Sequence, residues 1–135
     1  MSTYNFSDLL QIVADTVPDR IALVHGELEL TYTELNQFAD RVARVLVAKG
    51  VGANDNVGLQ LTNSPEYLAG FFGACRIGAV PFNVNYRYSS AELSYLYEDS
   101  QVKALLFDSE FSDDVKDACK QGSTPEVLLE VGGAR

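Results

Sequence analysis

RIGAVPFNVNYRYSSAEL, residues 76–93, decides the fold because it joins a helix end, a buried strand and a new helix start. Gly78 can close the first helix, since glycine takes the left-handed conformation there at little cost. Ser89 is followed three residues later by Glu92, which is the spacing of a capping box and predicts the second helix start. Such a unit is typical of an α/β sheet.

Helix and strand signals alternate outward from this stretch. Helical patterns are predicted at residues 6–17, 31–50, 65–77, 91–100 and 110–121, and strand patterns at 21–24, 28–32, 57–61, 79–82, 104–107 and 127–131. The first two strands flank His25 and Gly26, which predicts a small hairpin. Gly70 and Gly73 lie a turn apart within one helix, and their spacing predicts a close neighbour there.

The near-continuous apolar strands, above all ALLF at residues 104–107, indicate a parallel sheet covered by helices on both faces. We therefore expect a doubly wound α/β fold with a mostly parallel sheet of about four core strands. A small N-terminal hairpin accompanies this sheet. The length of 135 residues predicts one domain.

Composition argues against a membrane-spanning or secreted protein. Hydrophobic residues make up 47% of the chain, and frequent charges leave no run of ~18 apolar residues that would predict a membrane span. The opening MSTYNFSDLL lacks the basic and apolar segments of a secretory signal. We expect a cytoplasmic protein without a transmembrane segment.

The net charge is −9, and residues 91–135 carry ten acids against four bases. Such a surface repels phosphate backbones, so we expect no nucleic-acid partner. The acids indicate a solvated surface, with a docking surface for a basic partner as the alternative. Cys75 and Cys119 lack metal-ligand spacing and are expected as buried reduced thiols.

Motifs for phosphate binding are absent. No glycine-rich loop leads to Lys and Ser or Thr, and no G-x-G-x-x-G follows a strand. The GVG of residues 50–52 follows a predicted helix and is interpreted as a helix cap.

Isolated polar residues offer weak alternatives. His25, the single histidine, lies at a predicted turn and is not expected to act as a base. Asp108 directly follows a strand and resembles the phosphoacceptor of receiver domains, but Asp113 and Asp114 fall inside a helix instead of forming the required acidic pair. Asp108 is expected to be a turn residue or helix cap. Arg87 could bind an anion, although a surface ion pair is the favoured interpretation.

LTYTEL at residues 30–35, GACRIGAVPFNVNYRYSSAEL at 73–93 and the later ALLF resemble segments of the adenylate-forming enzymes. The loop PFNVNYRYSSAEL lacks the Pro-Asp pattern usual in peptide synthetases and is more similar to that of fatty acyl-CoA ligases. The resemblance runs from about residue 6 to residue 131. It implies ATP-dependent activation of a carboxylic acid to an acyl-adenylate, followed by thioester formation with coenzyme A.

The working parts of that family match no position here. Ser123 and Thr124 precede Pro125 without the glycines and lysine of the family's phosphate loop. No catalytic, cofactor-binding or metal-binding residue is therefore assigned, and ATP, Mg²⁺ and coenzyme A are expected only for a longer parent enzyme. Residues 1–131 are expected to form the N-terminal subdomain of that enzyme, with 132–135 as a truncated linker.

Two classes of function remain open. The chain is interpreted as the N-terminal piece of an acyl-CoA synthetase that does no chemistry alone and packs against the remainder of the enzyme. The alternative is a free-standing, non-catalytic α/β binding or interaction module. If the first holds, the isolated piece exposes apolar surface, and we expect it to self-associate.

Overall fold

The computed structural model describes residues 6–62 and 64–132. The elements are α1 (Phe6–Thr16), β1 (Ile21–His25), β2 (Leu28–Thr31), α2 (Tyr32–Ala48), β3 (Asn56–Gln60), α3 (Pro65–Arg76), β4 (Val80–Asn83), α4 (Ser90–Asp99), β5 (Val102–Asp108), the 3₁₀ turn η1 (Ser109–Phe111), α5 (Ser112–Gln121) and β6 (Val127–Val131). Each predicted element is present, with bounds shifted by one or two residues. Of the linker expected at 132–135, only Gly132 is among the described residues.

The central sheet has the strand order β4-β3-β5-β6, and every neighbouring pair in it is parallel. β1 and β2 form a separate antiparallel hairpin. From β3 the chain moves outward to β4, crosses back to β5 on the other side of β3, and then moves outward again to β6. This reversal makes the sheet doubly wound, and the fold class expected from the sequence is confirmed.

Helices cover both faces of the sheet. On one face, α2 and α3 pack on alternate strand residues in a cluster that contains Leu46, Val57, Leu59, Leu61, Ala74, Ala104, Leu106 and Val127. On the other face, α4 and α5 pack on a cluster that contains Val84, Leu93, Tyr97, Val102, Leu105, Phe107, Val115 and Ala118. α1 and the hairpin lie against the outer side of α2 and α3. Among the described residues, no helix is both long and apolar enough to cross a bilayer.

Helix ends follow the local sequence. The hydroxyl of Ser89 accepts a hydrogen bond from the Glu92 amide at 3.2 Å, and the Glu92 carboxylate accepts one from the Ser89 amide at 3.0 Å. Thr31 and Glu34 form the same reciprocal box at the start of α2. Gly78 has a φ of 77°, as expected for a residue that ends a helix in the left-handed region. These local predictions are confirmed.

α3 makes its closest approaches at its two glycines. A Cβ added at Gly73 would lie 2.9 Å from the carbonyl oxygen of Ala39 and 2.9 Å from the Val42 side chain, both on α2. A Cβ added at Gly70 would lie 3.1 Å from the methyl groups of Leu59 and Leu106 on the sheet. The glycines therefore let α3 approach both α2 and the sheet closely, and the predicted close neighbour is confirmed.

Arg76 ties three helices together at the end of α3. Its Nε donates to the Ser7 hydroxyl of α1 at 2.8 Å, and its Nη1 donates to the carbonyl oxygen of Asn36 on α2 at 3.2 Å. Nη2 donates to the side-chain oxygen of Asn36 at 2.5 Å. The planar guanidinium supplies these donors in a fixed geometry that a lysine lacks. One side chain thus orients α1 against the α2 and α3 pair.

Gly73→Ala is expected to lower the free energy of unfolding by about 1–2 kcal/mol, because the new methyl group meets the Ala39 carbonyl oxygen and the Val42 Cβ, which cannot move without shifting α2. Gly70→Ala is the matched control. Its neighbours are the ends of flexible leucine side chains, and alanine favours the helix by about 1 kcal/mol, so little loss is expected. Urea denaturation followed by circular dichroism measures both. Equal losses in the two variants would contradict the close approach of α2 and α3.

The capping box at Ser89 lowers the pKa of Glu92, first through the Ser89 amide and then through its hydroxyl. Because the folded pKa lies below the unfolded one, this contribution to stability is present above the unfolded pKa and is lost as pH falls through the folded pKa. Ser89→Ala is therefore expected to raise the pKa of Glu92 and to destabilise the protein more at about pH 7 than at about pH 2. Carboxyl NMR titration and urea denaturation measure this. A penalty that grows in acid would contradict it.

Candidate functional site at the carboxyl edge of the sheet

β3 and β5 lie side by side, yet the chain leaves them in opposite directions along the sheet. In open α/β sheets, ligands bind in the crevice outside the carboxyl ends of strands at such a reversal point. The candidate site is therefore the carboxyl edge, where β3 ends at Gln60, β5 ends at Asp108 and the loop after β4 approaches both.

Asp108 serves local structure at this edge. Its carboxylate accepts a hydrogen bond from the Glu110 amide at 3.2 Å and one from the Ser109 hydroxyl at 3.5 Å. These bonds begin the turn η1. The role of turn residue and helix cap expected from the sequence is confirmed.

Asp113 and Asp114 lie in the first turn of α5, as expected. β3, the neighbour of β5, ends in an amide and a leucine instead of an acidic pair. In the part of the chain that the structure describes, no group of three His, Cys, Asp or Glu residues could hold a metal ion. The receiver alternative therefore gains no support from the geometry.

The loops that follow β4 and β5 meet through an aromatic pair. The rings of Tyr86 and Phe111 stack with centroids 5.3 Å apart and planes inclined by 14°. Because β4 and β5 flank β3 on either side, this contact bridges the end of β3. The guanidinium of Arg87 lies 5.9 Å from the Tyr86 ring centroid, which is a cation–π distance.

The contacts of Arg87 differ from those expected from the sequence. Within residues 6–62 and 64–132, no carboxylate lies within 4.0 Å of its side-chain nitrogens, so the surface ion pair expected for it is not formed there. Its amide donates to the side-chain oxygen of Asn85 at 2.9 Å, which stabilises the turn. The neighbouring tyrosine ring takes the place of the expected acid.

Gln60 is the feature of this edge that sequence reasoning missed. The side chain is fully buried, and neither the oxygen nor the nitrogen of its carboxamide has a hydrogen-bond partner among the described residues. Residues two apart on a strand share a face, and Gly58 faces Val84 and Leu105. Gln60 thus points to the side of the sheet that α4 and α5 cover. The available signal was one polar residue inside the apolar run VGLQL.

The chemistry of this edge does not fit a nucleoside triphosphate. Helix N-termini attract phosphate, but α5 begins with Asp113 and Asp114, and α3 is capped by Ser64 and carries Glu66 in its first turn. The negative charges of these three acids repel an anionic ligand. We assign no step of nucleotide chemistry to these residues.

Two further polar residues considered in the sequence are His25 and Thr124. His25 is exposed at the end of β1 and lines a crevice with Ser64 and Tyr67. The Ser64 hydroxyl accepts a hydrogen bond from the Tyr67 amide at 3.3 Å, so it works as a helix cap. The Thr124 hydroxyl donates to the carbonyl oxygen of Cys119 at 3.2 Å, beyond the end of α5.

Neither cysteine forms a disulfide. Cys75 is buried, and burial raises the pKa of its thiol. Cys119 is only partly buried, which corrects the expectation that both thiols are enclosed. It lies on the outer margin of the cluster beneath α4 and α5, where coverage is incomplete.

Comparison with known proteins identifies relatives of this chain. The chain is 37% identical over 127 residues to a medium/long-chain-fatty-acid–CoA/3-oxocholest-4-en-26-oate–CoA ligase of Mycobacterium marinum, covering 94% of this chain and 23% of that protein. It is also 37% identical to a 3-oxocholest-4-en-26-oate–CoA ligase of Rhodococcus rhodochrous, covering 94% and 22% of the two chains. The chain thus spans about a quarter of the length of these relatives.

Among solved structures, the N-terminal domain of FACL13 from Mycobacterium tuberculosis superimposes with a TM-score of 0.89 at 28% identity. The match covers 96% of this chain and 34% of that domain structure. The chain therefore has the fold of a part of the N-terminal domain of acyl-CoA ligases. Residues 10–133 match the AMP-binding enzyme family, and the chain belongs to that family.

Gln60→Met is expected to raise the free energy of unfolding by about 1–3 kcal/mol, because it replaces a buried amide that lacks partners by an apolar side chain of similar length. Gln37→Met on the exposed side of α2 is the control and is expected to change stability by less than about 0.5 kcal/mol. Urea denaturation of both variants measures the difference. A loss of stability in Gln60→Met would show that the amide is satisfied, for instance by an internal water.

Proposed function

We propose that this chain is the N-terminal part of an ATP-dependent fatty acyl-CoA synthetase, an acid–thiol ligase. In the complete enzyme, a carboxylic acid and ATP form an acyl-adenylate and pyrophosphate, and coenzyme A then displaces AMP to give acyl-CoA. The observation that supports this most directly is the match of 94% of the chain to only 23% of a fatty-acid–CoA ligase.

The cofactors belong to the longer enzyme in this proposal. ATP, Mg²⁺ and coenzyme A would be bound by residues beyond this chain, since α3, α4 and α5 all carry acids in their first turns, and these acids disfavour phosphate. Residues 1–131 would form the N-terminal subdomain, with 132–135 leading into the rest of the enzyme. The chain itself would supply a folded scaffold.

Cysteine usage and charge bear on the compartment and partners of the proposed enzyme. We propose a cytoplasmic enzyme, because Cys75 and Cys119 form no disulfide, as is usual in a reducing compartment. The chain carries a net charge of −9. The same charge disfavours nucleic acid as a partner.

We also propose that the 135-residue chain self-associates on its own. Large apolar side chains are exposed on α1, the hairpin, α2, α4 and β6, among them Phe6, Leu9, Ile12, Val24, Val47, Tyr95 and Leu128. Phe6, Leu9 and Ile12 fall at i, i+3 and i+6 and so lie along one side of α1, and monomeric proteins seldom leave a contiguous apolar surface uncovered. In the longer enzyme, the remainder of the polypeptide would cover part of this surface.

The alternative of a free-standing, non-catalytic module keeps one point in its favour. The described residues form a complete layered core with helices on both faces of the sheet, as an independently folding unit requires. Intact mass measurement on the natural gene product separates the two proposals, because only the first requires several hundred further residues.

The 135-residue chain is expected to show no fatty-acid-dependent exchange of pyrophosphate into ATP, whereas the full natural gene product is expected to show it with Mg²⁺. Radiolabelled pyrophosphate exchange and detection of acyl-CoA by mass spectrometry measure this. Magnesium-dependent activity of the short chain would contradict the assignment of the chemistry to later residues. A natural product of 135 residues would contradict the ligase proposal altogether.

A further inference from the structure

The outer side of α4 carries an open crevice with a volume of about 460 Å³, lined by Tyr88, Ala91, Glu92, Tyr95 and Leu96. Ala91 and Tyr95 are four residues apart in the helix, as are Glu92 and Leu96, so each pair shares one side of it. Tyr88 directly precedes the N-cap residue of the helix. One continuous segment, residues 88–96, therefore builds the whole crevice.

Two tyrosines give the crevice an aromatic lining. Tyr95 is 70% exposed and Tyr88 is 37% exposed. In the described part of the chain, neither ring pairs with another aromatic ring or with an arginine. The face of an aromatic ring is negative and attracts a cation placed over it. Both rings are therefore able to contact a positively charged ligand.

Glu92 adds a carboxylate to the same crevice. Its Oε1 accepts the capping hydrogen bond from the Ser89 amide at 3.0 Å, and this box lowers the pKa of Glu92, so the carboxylate is charged at neutral pH. Its Oε2 has no hydrogen-bond or ion-pair partner within residues 6–62 and 64–132. Residues 91–135 carry ten acids against four bases, and this excess of negative charge also favours a cation.

The lining favours one class of cation. A guanidinium pairs best with both oxygens of a carboxylate, but one oxygen of Glu92 is already occupied by the helix cap. A primary ammonium is strongly hydrated, and a mostly apolar crevice replaces that water poorly. A quaternary ammonium has no N–H donors to satisfy, and its methyl groups can contact aromatic and aliphatic side chains. Aromatic sites bind such ligands through cation–π interactions.

We propose that the crevice on α4 binds a small soluble quaternary ammonium compound, with the cation against the rings of Tyr88 and Tyr95 and with Glu92 as its counter-ion. Leu96 contacts the methyl groups of the ligand. The site is open to solvent, so the expected Kd is about 1–10 mM. This inference goes beyond the acyl-CoA synthetase proposal and does not depend on it.

The first test is an NMR titration of the ¹⁵N-labelled chain with choline, at a protein concentration where ultracentrifugation shows a monomer. Amide shifts are expected to concentrate in residues 88–96, and the methyl protons of choline are expected to move upfield in the ring currents. The neutral isostere 3,3-dimethylbutan-1-ol is expected to bind about ten-fold more weakly, because it has the shape without the charge. Methylguanidinium at the same ionic strength is expected to bind at least about three-fold more weakly.

Variants assign the contributions of the rings and of the carboxylate. Tyr95→Leu removes the aromatic ring and is expected to weaken choline binding about three-fold, whereas Tyr95→Phe keeps the ring and is expected to stay within about two-fold of the wild type. Glu92→Gln keeps a side chain that can complete the capping box but loses the charge, and is expected to weaken binding about three-fold. Glu98→Gln is the matched control, since it removes a charge from α4 outside the crevice.

Each contrary outcome overturns a stated part of the inference. Choline shifts that are absent up to about 50 mM, or that spread over the whole chain, overturn the site. Equal binding of the neutral isostere or of methylguanidinium overturns the ligand class. A loss in Glu98→Gln as large as that in Glu92→Gln overturns the role of Glu92, because the effect then comes from net charge alone.

Two further measurements concern the source of the ligand and the natural protein. Binding to phosphatidylcholine vesicles without binding to choline overturns the assignment to a soluble ligand. The same titration of the full natural gene product is expected to give a similar Kd, and loss of binding there overturns the site as a property of the natural protein. None of these results bears on the acyl-CoA synthetase proposal, which the exchange assay tests independently.

Discussion

The close packing of α3 against both α2 and the sheet is the constraint on which the rest of the structure depends. At Gly73 the α2 backbone comes within 2.9 Å of where a Cβ would stand, and at Gly70 the sheet side chains come within 3.1 Å. Glycine costs about 1 kcal/mol in a helix interior, so two of them in one helix are retained where packing requires them. The close approach brings α2 near enough to the strands to share their core, and Arg76 then fixes α1 on the outside.

At the carboxyl edge of the sheet, side chains from neighbouring loops hold one another in place. The doubly wound sheet places its reversal point between β3 and β5, where related architectures bind ligands. Here the edge is bridged by the Tyr86 and Phe111 rings, Asp108 is engaged in a turn, and the nearby helices begin with acids. These features stabilise the loops. The chain spans about a quarter of its relatives' length.

Two buried polar side chains depart from the general rule that enclosed polar groups form hydrogen bonds. Gln60 at the carboxyl edge and the phenol of Tyr97 on α4 are both enclosed without a hydrogen-bond partner among the described residues. Burial, followed by the charges of Cys119 and Asp114, raises the pKa of Tyr97 well above its usual range, so the phenol stays neutral. A neutral hydroxyl costs far less to bury than a charge, and the fold tolerates it within an otherwise apolar cluster.

The order and type of the elements were determined by the sequence alone, because they depend on neighbours within a few residues. Capping boxes at Thr31 and Ser89, the left-handed glycine at 78 and the apolar strand ALLF act locally and could be recognised without a structure. Only the tertiary structure decided the strand order, the burial of Gln60 and the contact of Arg76 with Ser7, which lies 69 residues away in the chain. It also gave Arg87 an aromatic neighbour in place of the expected acid. Such contacts depend on how distant segments pack, and no local pattern encodes that packing.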